Sequence, residues 1–230
     1  MAAGVTRGEP IQSTAPLLEA KSLLCEWDDR ILFDALSFAI AAGDITQVEG
    51  PNGSGKTTLI RILCGLSSAY EGKLFWRGKS MSQCREQFCQ QHIYFGHLTG
   101  VKAPLSAEEN LRWMAQCRGS SLKGHALEDA IDQALAKVGL HGFEDAPVYT
   151  LSAGQKRRVA LARLFLEPVP LWVLDEPFTA IDKHGVAELE SINEQHAQQG
   201  GAVVLTTHHE LNIDPSHLKV IRLGNVREGL

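Results

Sequence analysis

The stretch "GPNGSGKTT" (50–58) constrains this chain more than any other part of it. It matches G-x-x-x-x-G-K-[ST] with Gly50, Gly55, Lys56 and Thr57. The apolar run "DITQVEG" (44–50) precedes it and the helix-forming "KTTLIRILCGL" (56–66) follows. A strand, a glycine loop and a helix in this order curl the backbone so that its N–H groups face inward. The helix N-terminus then adds the positive end of its dipole. Such a loop cradles phosphates. Gly50, Pro51, Asn52, Gly53, Ser54, Gly55, Lys56, Thr57 and Thr58 are predicted to bind nucleotide. Lys56 is expected to reach the β- and γ-phosphates, and the Thr57 hydroxyl to ligate Mg²⁺.

A second motif, "LWVLDEP" (171–177), pairs with it. Four apolar residues end in two carboxylates, which is costly unless the carboxylates meet a cation or water. Asp175 suits Mg²⁺, in a position beyond its directly bound ligands. Glu176 suits a general base acting on water. ATP and Mg²⁺ are the expected substrate and metal.

Other strand-like and helical runs frame these motifs. "AVVLTTH" (202–208) reads as a buried strand. "SAEENLRWMAQC" opens with Ser106 and Glu109 at capping-box spacing. "HALEDAIDQALAKVGL" (125–140) carries alanine and leucine on one stripe. Alternating strands and helices predict an α/β fold with a mainly parallel sheet. Short strand-like runs in 17–48 and 72–77 predict an antiparallel flank. The stretch 98–165 predicts an inserted helical subdomain. Residues 17–230 are expected to form one domain. Residues 1–16 have no apolar core and are expected to be a loose tail rather than an export signal.

Composition limits the function classes. Of 230 residues, 44% are hydrophobic and 21% charged, ordinary for a globular protein. The net charge of -5 argues against a general nucleic-acid binder, and no nucleic-acid partner is expected. No apolar run approaches the roughly 18 residues of a membrane span. Five cysteines without C-x-x-C read as reduced thiols. Cys84, Cys89 and His92 lack the second ligand pair of a structural metal site.

The stretch "LSAGQKRRVALARL" (151–164) narrows the class further. A polar, glycine-containing opening runs straight into a basic helix, ahead of the second motif. It resembles the signature motif of ATP-binding cassette (ABC) proteins, with Ala153 at the usual second glycine. The resemblance covers about 17–224 and implies a P-loop NTPase of the ABC ATPase type. It implies that Ser152 and the Gly154 amide, with Gln155 in the same signature acting in trans, meet the γ-phosphate held by an opposite subunit, so that the working unit is a homodimer. By the same resemblance, Asp182 in "FTAID" (178–182) is the D-loop aspartate. His208 in "TTHH" (206–209) is the switch histidine, and Trp27 stacks on adenine.

At the family's Q-loop glutamine this sequence has His97. An imidazole nitrogen is a poor ligand for Mg²⁺, so His97 is not expected to bind the metal. "YFGHLTG", "LSAGQKRRVALARL" and "DEPFTAID" together are similar to one branch, the ATP-binding subunits of cytochrome c maturation heme exporters. That similarity implies integral membrane subunits as partners and a peripheral place on the cytoplasmic face of the bacterial inner membrane. It implies ATP hydrolysis that serves heme export or release of a heme-loaded chaperone. Nothing in the sequence identifies the cargo.

Overall fold

The computed structural model describes residues 15–214 and 217–224. The tail expected over 1–16 therefore lies, up to residue 14, outside the described residues, as does the end of the chain from 225.

In chain order the strands and helices are β1 (Leu18–Trp27), β2 (Arg30–Ile40), β3 (Ile45–Glu49), α1 (Lys56–Leu63), β4 (Glu71–Trp76), β5 (Lys79–Ser80), α2 (Arg85–Gln90), β6 (His92–Phe95), α3 (Ala107–Arg118), α4 (His125–Lys137), α5 (Ala153–Ala162), β7 (Leu171–Asp175), α6 (Lys183–Gln198), β8 (Ala202–Thr206) and β9 (Leu218–Arg222). Two sheets result. The first has the order β6-β7-β8-β3-β9 and every neighbouring pair is parallel. The second, β2-β1-β4-β5, is antiparallel throughout. Most of the expected N-terminal flank is this second sheet. Its last part, from Ile45, joins the parallel sheet instead, where consecutive residues Ile45 to Val48 are all buried, as a sheet covered on both faces requires.

The parallel sheet is the middle layer, and side-chain alternation along its strands feeds two cores. Trp172, Leu174, Val203 and Leu205 point to a core shared with α3, α4, α5 and α6. Leu171, Val173, Ala202 and Val204 point the other way. There they meet Leu59, Ile60, Ile62 and Leu63 of α1 and the inner face of the antiparallel sheet.

Local signals set most helix ends. Ser106 and Glu109 form a reciprocal capping box at the start of α3. Helix α1 ends at Leu63 rather than 66, because Gly65 turns left-handed (φ 67°). Helix α4 ends at Lys137, just before Gly139 (φ 70°), for the same reason. Helices α3, α4 and α5 occupy most of the stretch in which the helical subdomain was expected.

Candidate functional site

The C-terminal ends of β3, β7 and β8 lie side by side, and the loops leaving them build the site. Parallel α/β sheets place ligand sites at this edge.

The loop from β3 to α1 turns back on itself, with Ser54 N donating to Pro51 O at 3.1 Å. A Cβ on Gly50 would come within 2.4 Å of Ser54 Oγ and 2.8 Å of Leu223 O, so only glycine fits there. Gly55 adopts φ 95° as it caps α1. Lys56 extends along the loop, its ammonium donating to Gly50 O (2.7 Å) and Pro51 O (3.1 Å). Glu49 and Gly50 end one buried strand, and Asp175 and Glu176 end the one two places along the sheet.

Asp175 is 2% exposed. It accepts hydrogen bonds from the Thr206 hydroxyl (2.7 Å) and the Thr57 hydroxyl (3.4 Å), and forms no ion pair among the described residues. A buried carboxylate met only by hydroxyls is a strong attractor for a cation. With hydroxyl oxygens as its hydrogen-bond partners, it fits Mg²⁺, which takes one or two protein oxygens and completes its shell with phosphate and water. The described residues hold no cluster of three or more His, Cys, Asp or Glu that would make a self-sufficient metal cage. Cys84, Cys89 and His92 form no such cluster.

Glu176 leaves the strand with φ 51°, a left-handed conformation that costs a non-glycine residue roughly 1–3 kcal/mol. The turn is held from two sides. Its N–H donates to Thr206 Oγ1 (2.9 Å) and Thr206 O (3.2 Å). Its carbonyl accepts from Arg157 Nη2. The carboxylate turns toward His208, whose Nε2 lies 3.5 Å from Glu176 Oε1.

These groups line a cavity of about 620 Å³. Of the predicted residues it gathers Trp27, Asn52, Gly53, Gly55, Lys56, Thr57, Thr58, Glu176 and His208. Gly50, Pro51 and Ser54 shape the loop behind it, and Asp175 lies behind Thr57, which lines it. Leu32, Arg61, Leu66 and Ser67 also line it and were not anticipated. Arg61 lies one helical turn beyond Thr57 and Thr58, a spacing that could have flagged it. Thr206 was also missed, although its register opposite Asp175 is what any polar residue ending a neighbouring buried strand would adopt. Trp27 ends β1 with 60% of its surface exposed. A second cavity, about 650 Å³, opens at the opposite edge of the sheet around Trp172 and His196 and is lined by none of the predicted site residues.

The remaining predicted residues lie elsewhere. Ser152 caps α5, accepting from Gln155 N (3.2 Å) while its own N–H donates to Gln155 Oε1 (2.9 Å). Gly154 packs closely against the carbonyl of Ala180. Asp182 caps α6 by accepting from Gly185 N (2.8 Å), and Arg158 lies 3.8 Å from it. The helix start and the 178–182 turn thus form one surface group, and neither lines the cavity. His97 is exposed on the loop after β6 and lines no part of the cavity. His209 turns away toward Glu190, 3.6 Å distant.

The ABC transporter family profile matches residues 33–179. The chain is 55% identical to a cytochrome c biogenesis ATP-binding export protein of Hahella chejuensis, over 92% of this chain and 97% of that one. It is 51% identical to the protein of the same name from Vibrio cholerae, over 91% and 99%. Among solved structures, an ATP-binding subunit of an ABC transporter superposes with a TM-score of 0.77 at 24% identity, over 90% of this chain and 88% of that one. A dimeric ATP-binding cassette bound to ADP and Pi superposes at 0.78 with 21% identity, over 90% and 94%; both are fold matches.

Proposed function

Since the chain belongs to the ABC transporter family, within its branch of cytochrome c biogenesis ATP-binding export proteins, we propose that it drives a bacterial inner-membrane complex for cytochrome c maturation. It is an ABC-type ATPase, converting ATP and water to ADP and phosphate. The observation that carries the reading is the single cavity that holds the phosphate loop, Glu176, His208 and Trp27 together.

The roles follow from position. The loop amides and Lys56 bind the β- and γ-phosphates, and binding replaces the carbonyls that Lys56 now contacts. Thr57 and Asp175 hold Mg²⁺, which, when bound, neutralises charge on the phosphate oxygens. Trp27 presents its ring to the adenine. Glu176 takes the proton of the attacking water, and His208, beside it, contacts the γ-phosphate. Hydrolysis is then a matter of positioning and charge stabilisation rather than covalent chemistry.

One copy lacks part of this machinery. Ser152, Gly154, Gln155 and Asp182 lie on a surface separate from the cavity, so a second copy supplies them head to tail in a symmetric dimer. ABC ATPase subunits act as dimers with membrane subunits. Among the described residues no helix is long and apolar enough to cross a membrane. We place the chain peripherally, on the cytoplasmic face, with integral membrane partners docking near His97 and the helical layer of α3 and α4. His97 contacts water, γ-phosphate or the membrane partner rather than the metal. The work performed is heme export or release of a heme-loaded chaperone.

The test is Glu176→Gln. ATP binding is retained and hydrolysis slows by roughly 10²–10⁴-fold, the usual worth of a general base. Turnover close to wild type in the purified complex would remove Glu176 from the role.

A further inference from the structure

Arg157 is 5% exposed, yet it forms no ion pair among the described residues. A buried guanidinium is expensive unless its donors are met. Its Nη2 donates to the carbonyl of Glu176 and its Nε to the carbonyl of Pro177 at 3.2 Å. The face of the Phe95 ring lies 4.7 Å from its Cζ. Burial lowers its pKa from the ordinary value, and the nearby charges of Glu176 and Asp175 oppose that shift. It remains a cation. The charge is therefore spent on two backbone carbonyls and a ring rather than on a carboxylate. Those carbonyls belong to the turn that holds Glu176 left-handed, and among the described residues Glu176 is the non-glycine residue lining the cavity with a positive φ.

We infer that Arg157 is a positioning residue for hydrolysis: it fixes the Glu176 carbonyl, and with it the aim of the Glu176 carboxylate, to the helix that begins at Ser152. The inference rests on the reading of Glu176 as the general base. The N–H of Glu176 is tied to β8 through Thr206, and its carbonyl is tied to α5 through Arg157. With both ends of the residue fixed, ψ and φ have no freedom to relax, and the side chain is directed at the cavity beside His208. Releasing the carbonyl end lets the strained turn relax, which moves the carboxylate and leaves the phosphate loop untouched. Lysine cannot replace arginine here, because a single ammonium does not reproduce the planar fork that reaches two carbonyls at once.

The same cation ties the turn to another segment. Phe95 ends β6 two residues before His97. Arg163, just past the end of α5, lies 5.4 Å from the centre of the same ring and donates to Tyr94 O. Arg157 of α5 and Arg163 just beyond it thus hold the turn after β7 and the end of β6 to one segment.

The experiment is a double-mutant cycle on the full chain between Arg157→Lys and Glu176→Gln, read by steady-state kinetics, single-turnover hydrolysis and nucleotide titration. Alone, Arg157→Lys lowers kcat about tenfold or more, with KM and nucleotide affinity within about threefold. In the Glu176→Gln background the same change alters residual hydrolysis less than about twofold, because the group it positions is gone. An equal fold-loss in both backgrounds overturns the inference, as does a loss carried by KM rather than kcat. Near-wild-type turnover of Glu176→Gln alone is a separate result, and it removes the base assignment itself. If Arg157→Lys fails to fold, Phe95→Leu withdraws only the ring face. Its smaller kcat loss must likewise vanish in Glu176→Gln, and persistence there overturns the inference.

Discussion

Trp27 shows what one exposed side chain can contribute. An indole with 60% of its surface in solvent gains little from the fold that carries it. Its position at the mouth of the cavity gives it a ring face for a flat base, and stacking of a base on an aromatic is worth about 1–3 kcal/mol. Trp27→Ala therefore raises the dissociation constant for ATP about tenfold, while Trp27→Phe stays within about threefold, by equilibrium titration. An unchanged affinity in Trp27→Ala would move the adenine elsewhere. Thr206 is the opposite case, fully buried, its hydroxyl donating to Asp175 at the end of β7 and accepting from the N–H of Glu176 just beyond it. Its importance was invisible in "AVVLTTH", where a threonine at a strand end is ordinary; only the register against Asp175 reveals it.

At the scale of elements, the sequence was legible wherever one rule acted alone. The buried runs of β3, β7 and β8 and the capping box of α3 needed no tertiary information. The glycine loop announced its strand and helix in the same way. Strands β6 and β9 and helices α2 and α6 were not read. β6 is four residues long, and β9 carries a polar pattern that only its edge position permits. Helix α6 starts at Asp182, which had been noticed for its motif and not for its cap. The sequence showed only a basic helix at α5; that Arg157, and Arg163 just past the helix, turn inward was not legible, since nothing local distinguishes an arginine that will find buried carbonyls. The packing of α6 on β7 adds a dependence on pH. His196 stacks on Trp172 with ring centroids 3.8 Å apart, and burial lowers its pKa to about 4. Below its ordinary value of 6.5 the unfolded chain accepts a proton that the native state refuses, so stability falls as pH drops from 6.5 toward 4. His92, also lowered by burial, adds to the same slope. Thermal melts between pH 7 and 5 should show this decline, and His196→Phe should flatten it. Equal slopes in the two proteins would assign the acid sensitivity to other groups.

For the whole molecule, the decisive feature is that the capped start of α5 and the cavity belong to different faces. Two lesions can then be kept apart in space while sharing a gene. Lys56→Ala spoils the cavity, and Ser152→Arg spoils the surface offered to the opposite copy. A dimer of either variant has two damaged sites and is inactive. A mixed dimer places both lesions in one site and leaves the other whole. With random pairing about half the dimers are mixed, so mixing equal amounts of two dead proteins restores about a quarter of wild-type ATPase activity. No recovery at any ratio would show that one whole site built from two copies does not suffice for turnover. In a cell the same arithmetic makes the two alleles complement each other, so that a strain carrying both would mature cytochromes that neither allele supports alone.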